Sequence, residues 1–170
     1  MCGIIGIFGT EQKLESYREQ VLRMAALLRH RGPDWSGLYQ DGYCFLAHER
    51  LSIVDVEHGA QPLVDKKTGR VLIVNGEIYD HMKLRTLLKK PHEWQTKSDC
   101  EVLLYLYDEF GPEFLSSIDG IFAFCLYDPQ TREYFLARDH MGIVPLYIGW
   151  DTDGVLHVVS EMKALELYCV

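Results

Sequence analysis

Apolar residues along this chain gather in short runs: Cys2–Phe8, Tyr43–Ala47, Val71–Val74, Ile121–Tyr127 and Val155–Val159. The runs are β-branched or aromatic and are bounded by Gly, Asp or Pro, which predicts strands. Turn-forming residues join several of them to shorter partners. Asp41-Gly42 predicts a two-residue hairpin between Gly37–Gln40 and Tyr43–Ala47, because both positions tolerate positive φ. Asp128-Pro129-Gln130-Thr131 leads from Ile121–Tyr127 to Glu133–Ala137, and Asp151-Thr152-Asp153-Gly154 leads from Leu146–Gly149 to Val155–Val159. Helical spacing is rarer. Leu14, Val21, Met24, Ala25 and Leu28 mark one face of a helix over Glu15–Arg29, and Leu84, Leu87 and Leu88 mark another over Ile78–Lys89. A third helix is predicted to start at a capping box, Ser98 with Glu101, to carry Leu103, Leu106, Tyr107 and Phe110, and to stop at Gly111-Pro112.

The strand Ile121–Tyr127 does not alternate; it is apolar on both faces, as are Val71–Val74 and Gly3–Phe8. Such strands are covered on both sides. Three helices cannot cover every face, so the pattern predicts a second sheet on one side and helices on the other. The expected class is α+β, a layered sandwich of mostly antiparallel strands. With 170 residues, no long linker and no internal repeat, residues 1–170 are expected to form a single domain.

Charge narrows the function classes. Lys plus Arg number 17 and Asp plus Glu 25, for a net charge of −8. Without a basic cluster, nucleic acid and anionic membrane are not expected partners. No apolar run approaches a spanning length, and no basic stretch followed by an apolar one marks a signal peptide. Five cysteines, at 2, 44, 100, 125 and 169, include no C-x-x-C pair. That points away from disulfides and structural zinc and towards a reducing cytosol. The seven histidines are scattered, with no H-E-x-x-H and no pair at i and i+4, so no metal is expected.

Four places carry candidate chemistry. If Met1 is removed, Cys2 becomes the first residue, with a thiol and an α-amine on one carbon. An α-amine of ordinary pKa is partly free base at neutral pH and can accept the thiol proton. Read alone, Met1-Cys2 equally suits a buried structural cysteine at a strand start; Gly3 and Gly6 nearby suggest close approach of a ligand or another backbone. Asn75-Gly76-Glu77 ends an apolar strand. It reads either as a tight turn or as two donors, an amide and a backbone N–H, for an oxyanion. Arg50, at a strand end, can hold a carboxylate with its fork of donors. Asp99, at a helix start, can hold an ammonium. Both also read as ordinary surface charges.

Together these pieces resemble a known family. The start Met1-Cys2-Gly3-Ile4-Ile5-Gly6 is similar to that of class II glutamine amidotransferases, whose glutaminase domains are N-terminal-nucleophile hydrolases. Further runs resemble the glutaminase half of glutamine-dependent asparagine synthetases of the AsnB type. They are Leu28-Arg29-His30-Arg31-Gly32-Pro33-Asp34, His48-Glu49-Arg50-Leu51-Ser52-Ile53-Val54-Asp55, Gly59-Ala60-Gln61-Pro62-Leu63, Asn75-Gly76-Glu77-Ile78-Tyr79 and Ser98-Asp99-Cys100-Glu101-Val102-Leu103-Leu104. So do Leu136-Ala137-Arg138-Asp139, Gly142-Ile143-Val144-Pro145-Leu146-Tyr147 and Ser160-Glu161-Met162-Lys163-Ala164-Leu165. The likeness runs through essentially the whole chain, in order.

The resemblance implies a four-layer α/β/β/α sandwich and hydrolysis of L-glutamine to L-glutamate and ammonia. It implies Cys2 as nucleophile with its free amine as base, Asn75 and Gly76 as the oxyanion hole, Arg50 on the substrate α-carboxylate and Asp99 on its α-ammonium. Leu51, Ser52, Ile53, Val54 and Glu77 would complete the pocket. No cofactor or metal is implied for this step; ATP and Mg belong to a synthetase domain of a few hundred residues that would accept the ammonia. Such a domain or subunit is the expected partner. The mostly apolar end, Ala164–Val170, is expected to leave an apolar patch that favours docking to it or self-association. Two departures are minor: Asp80 stands where the family usually has Asn, which should alter one local hydrogen bond, and Val159 stands where a small residue is common. Two other classes remain open: a non-catalytic module derived from a glutaminase, and a glutaminase feeding a sugar phosphate or phosphoribosyl acceptor.

Overall fold

Side-chain parity along the strands sorts the chain into layers. The structure, a computed structural model, describes residues 1–9 and 16–170. Its strands are β1 (Gly3–Phe8), β2 (Trp35–Gln40), β3 (Cys44–Arg50), β4 (Leu63–Val64), β5 (Val71–Ile78), β6 (Gly120–Asp128), β7 (Glu133–Arg138), β8 (Tyr147–Trp150) and β9 (Leu156–Val159). Its α-helices are α1 (Tyr17–Leu28), α2 (His81–Leu87) and α3 (Val102–Phe110), with 3₁₀ turns at Gly111–Ser117 and Met162–Ala164. Two sheets form, in the orders β2-β3-β1-β9-β8 and β4-β5-β6-β7, and every recorded pairing is antiparallel.

Three apolar clusters fill the three gaps between four layers. Ile5, Ile7, Phe45 and Ala47 meet Val21, Met24, Ala25 and Leu28 of α1. Ile4, Phe8, Cys44 and Leu46 of the first sheet meet Val71, Ile73, Cys125 and Tyr127 of the second. Leu72, Val74, Phe122, Phe124 and Leu126 meet Leu84, Leu103, Leu106 and Phe114. Neighbours in sequence thus serve opposite gaps, Ile4 one and Ile5 the other, as the two-residue period of a strand requires. Strands apolar on both faces are those lying between two gaps. Each fully buried Leu, Ile or Val contributes about 1.5–3 kcal/mol, so the layer order follows from the pattern itself. The α/β/β/α sandwich is the architecture observed.

The elements differ from the sequence expectations at their ends. Leu14 and Glu15, assigned above to the first helix, lie outside the described residues. The second helix is shorter than Ile78–Lys89, because β5 continues through Asn75-Gly76 to Ile78 and α2 begins only at His81. Asp80 takes up the Asp119 N–H at 3.2 Å and leaves α2 without a side-chain cap. The capping box does not form. Glu101 reaches back to the N–H groups of Gln95 and Thr96 at 2.8 Å each, and α3 starts at Val102. The carboxylate thus serves the backbone ahead of the helix, and also the Thr96 hydroxyl at 2.6 Å. Gly111, at φ 59°, ends α3 as expected, and Pro112 opens a 3₁₀ turn. The hairpin turn also shifts by one residue, to Gly42-Tyr43, without positive φ. Asp41 Oδ1 accepts the N–H groups of Tyr43 and Cys44 at 2.7 Å each, and this ties the turn without a left-handed residue.

Towards the end of the chain, Leu165 and Cys169 pack into the α1 layer. Leu167 and Val170 are exposed, as are Ile148 and Trp150 of the edge strand β8, and the Val170 N–H donates to Trp150 O at 3.0 Å. No helix of the structure is long and apolar enough to cross a membrane.

Candidate active site

At one end of the sandwich the two sheets part into an open cleft whose space, the solvent at its mouth included, is about 600 Å³. Cys2, one residue ahead of β1 and in step with Ile4, lines it, as do Arg50 and Leu51 at the end of β3, Gly76 and Glu77 on β5, and Asp99 before α3. Ile53 and Val54 line it from the loop after β3. Four separate stretches therefore converge. Ser52 does not join them: its N–H donates to Asp34 Oδ2 at 2.8 Å, and it borders a neighbouring depression with Trp35.

Cys2 is held in place by main-chain groups. Its Sγ accepts the Leu51 N–H at 3.4 Å, and its carbonyl accepts Arg31 Nε at 2.8 Å. Burial pushes the Cys2 thiol up; the Leu51 N–H and the positive N-terminus, Arg50 and Arg31 pull the other way without reversing it. A thiol in this state needs a base to become a nucleophile. Met1, half-exposed, lines the same cleft. Of the two approaches suggested for the glycines, Gly3 serves close packing of another element: a Cβ there would stand 2.9 Å from Leu28 Cβ, so Gly3 lets α1 lie close.

Asn75 is fully buried, and among the described residues neither atom of its side-chain amide has a hydrogen-bond partner. Its parity with Val71 and Ile73 turns it into the gap between the sheets, the face on which Cys2 also lies. An unpaired buried amide costs free energy and calls for an explanation. Gly76 sits at φ +148°, and a Cβ there would lie 2.1 Å from Ile121 O, so only glycine fits.

Arg50 lies in the cleft wall with its guanidinium engaged. Nη1 donates to Val56 O at 3.1 Å, and Nη2 donates to Val54 O at 3.0 Å and Asp55 O at 2.7 Å. It therefore gathers the loop after β3 as well as facing the cleft. Asp99 takes the Ile78 N–H at 2.7 Å and the Cys100 thiol at 3.7 Å, both on Oδ2. It is not inside the helix; it stands before Val102, where α3 begins.

Several residues at the site have no role in the sequence reading. Arg31 holds the Cys2 carbonyl and is itself held by Glu161 at 2.8 Å. Gln61 and Cys100 line the cleft, and fully buried His48 spans from β3 to Val74 O at 3.0 Å. All four lie inside the sequence motifs that carry the family resemblance, yet nothing in their local spacing separates them from packing residues.

His48 makes stability pH-dependent. Burial lowers its pKa from 6.5 to about 4. Between those values the unfolded chain binds a proton that the folded chain refuses, so stability is complete above pH 6.5 and falls as pH drops towards 4. The expected loss is about 3 kcal/mol. Urea unfolding followed between pH 7 and pH 4 checks this. His48→Gln, which keeps a donor for Val74, should flatten that slope; an unchanged slope removes His48 as its source.

The site lies in a chain with clear relatives. A family described as the glutamine amidotransferase domain matches residues 1–169. The chain belongs to that family. It is 53% identical over 169 residues to the glutamine-hydrolysing asparagine synthetase B of Escherichia coli (strain K12), covering 99% of this chain and 30% of that protein. It is 48% identical over 169 residues to a glutamine-hydrolysing asparagine synthetase of Brassica oleracea, covering 99% of this chain and 29% of that one. The chain thus spans about 30% of the length of these relatives. Among solved structures, the glutamine phosphoribosylpyrophosphate amidotransferase of B. subtilis, complexed with ADP and GMP, superposes with a TM-score of 0.77. The match is 24% identical and covers 97% of this chain and 43% of that one, a likeness of fold.

Proposed function

We propose that this glutamine amidotransferase domain hydrolyses L-glutamine to L-glutamate and ammonia through a γ-glutamyl thioester on Cys2, as the ammonia-supplying half of asparagine synthesis. The observation that carries this reading is the convergence of a thiol, a cation, an anion and an oxyanion-type edge on one cleft: Cys2, Arg50, Asp99 and Gly76. A free amino acid needs one cation and one anion held apart on rigid elements, and Arg50 and Asp99 stand at the ends of different ones. Removal of Met1 opens the cleft and turns the Cys2 nitrogen into a free amine. That amine takes the thiol proton, and the thiolate adds to the side-chain amide carbon of glutamine. The resulting oxyanion lies between the Asn75 amide and the Gly76 N–H. The protonated amine gives its proton to the departing ammonia. Water, deprotonated by the same amine, then cleaves the thioester and releases glutamate.

The glutaminase step needs no cofactor in this scheme. ATP and Mg would enter with the synthetase domain that the relatives' names and lengths imply, and that domain is the proposed acceptor of the ammonia. Five free cysteines fit a cytosolic setting. The test is to incubate the chain with glutamine, aspartate, ATP and Mg, and to measure glutamate and asparagine. Glutamate without asparagine is expected; asparagine formed by these residues alone would refute the division of labour, and no glutamate would refute the activity.

Arg50→Ala should raise KM about 10- to 100-fold, the scale of a lost charge-assisted hydrogen bond. Because Arg50 also gathers the carbonyls of Val54–Val56, the loop should become more open to proteolysis in the same variant. Unchanged glutamine binding would show that Arg50 serves the loop alone.

A further inference from the structure

The edge of β5 that borders the cleft has no strand beside it once β4 ends, at the pairings Leu63 with Leu72 and Val64 with Val71. The hydrogen-bonding phase of the sheet is fixed by Phe122, whose carbonyl accepts the Asp139 N–H and whose N–H donates to Asp139 Oδ2 on the β7 side. Phe122 therefore turns away from its partner Gly76, and the main-chain groups of Val74, Gly76 and Ile78 all face the open edge. Side chains occupy most of that edge. The Val74 N–H donates to Gln61 Oε1 at 2.6 Å, and Val74 O accepts His48 Nε2 at 3.0 Å. Gly76 O lies 3.9 Å from the Cys100 thiol, whose one hydrogen it shares with Asp99 Oδ2 at 3.7 Å, and the Ile78 N–H donates to Asp99 at 2.7 Å. A strand in this place would have paired every group in turn. The side-chain set satisfies those on either side of the Gly76 N–H and leaves that one donor directed at the cleft.

We propose that Gln61, His48 and Cys100 are positioning residues of the oxyanion hole: they replace a β-strand along the β5 edge and so aim the Gly76 N–H at the cleft without consuming it. This rests on the reading of Gly76 and Asn75 as oxyanion donors. It also explains why the site lies where β4 stops. Four more residues of β4, back to Gly59, would convert the donor into an ordinary ladder bond. Gln61 is the most exacting of the three, because it holds the N–H of Val74, the residue before Asn75, and so sets the peptide from which both donors follow.

The experiment compares kcat, KM and thermal midpoint in the full chain, processed at Met1, for Gln61→Met, Gln61→Glu and Asn75→Ala. Gln61→Met removes the acceptor for Val74 and should lower kcat about 10- to 100-fold with KM held within about twofold, the scale of a small misplacement in a reacting site. Gln61→Glu keeps an acceptor and should retain most of kcat. The double variant of Gln61→Met with Asn75→Ala should lose less than the product of the two single losses, since both act on one oxyanion. If Gln61→Met leaves kcat intact while Asn75→Ala does not, the positioning role is overturned and the oxyanion hole stands. If neither changes kcat, the oxyanion reading itself falls. A rise in KM alone would make Gln61 a substrate contact and also overturn the proposal. Should Gln61→Met fail to fold, Cys100→Ala against Cys100→Ser decides: serine keeps the donor to Gly76 O and should preserve kcat where alanine lowers it, and full activity in Cys100→Ala overturns the role.

Discussion

A chain carrying an uncleavable residue ahead of Cys2 is expected to keep its fold and lose glutamine hydrolysis. Met1 already stands half-exposed at the cleft, so an added residue has room and disturbs no buried contact. The chemistry has no such tolerance. Burial raises the Cys2 thiol, and its recorded hydrogen bonds are to the main chain of Leu51, which offers no base. Only a free α-amine on Cys2 itself would supply one. Loss of a general base costs about 10²–10⁴ in rate, and blocking the amine also removes the proton donor for ammonia. Cys2→Ala should abolish turnover outright while glutamine still binds, because Arg50 and Asp99 are untouched. Intact mass, circular dichroism and glutamate release check the set. Normal turnover with the extension in place would end the N-terminal-nucleophile mechanism.

Asn75→Ala should lower kcat about 10²–10³-fold, the cost of losing one oxyanion donor, and should leave stability unchanged or slightly raised. The second half of that expectation comes from the native structure. Both amide atoms of Asn75 are buried and unpaired among the described residues. Removing an amide that has no partner strands nothing and lifts a desolvation cost of about 1–3 kcal/mol, set against a small cavity. Kinetics and a thermal melt on the same preparation separate the two effects. A variant that melts early with kcat intact would make Asn75 a packing residue. A fall in kcat at constant stability is the signature of a group held ready for a charge that appears only during reaction.

Much of this protein is legible in its sequence. Strands apolar on both faces, with too few helices to cover them, determine a stacked pair of sheets, because burial acts on each face of a strand independently. The positions of Cys2, Arg50, Asn75, Gly76 and Asp99 are marked by residue type and by resemblance. What only the tertiary structure decides is where hydrogen bonds go when several partners compete. Glu101 leaves its capping box for Gln95 and Thr96, Asp41 moves a turn by one residue, and Arg50 gathers three carbonyls besides facing the cleft. Gln61, His48 and Cys100 come to border one strand edge from three distant stretches of chain. Apolar burial is read from a residue and its near neighbours, so a linear pattern can predict it. A polar group takes whichever partner the finished fold brings within about 3 Å, and that partner can stand anywhere along the chain.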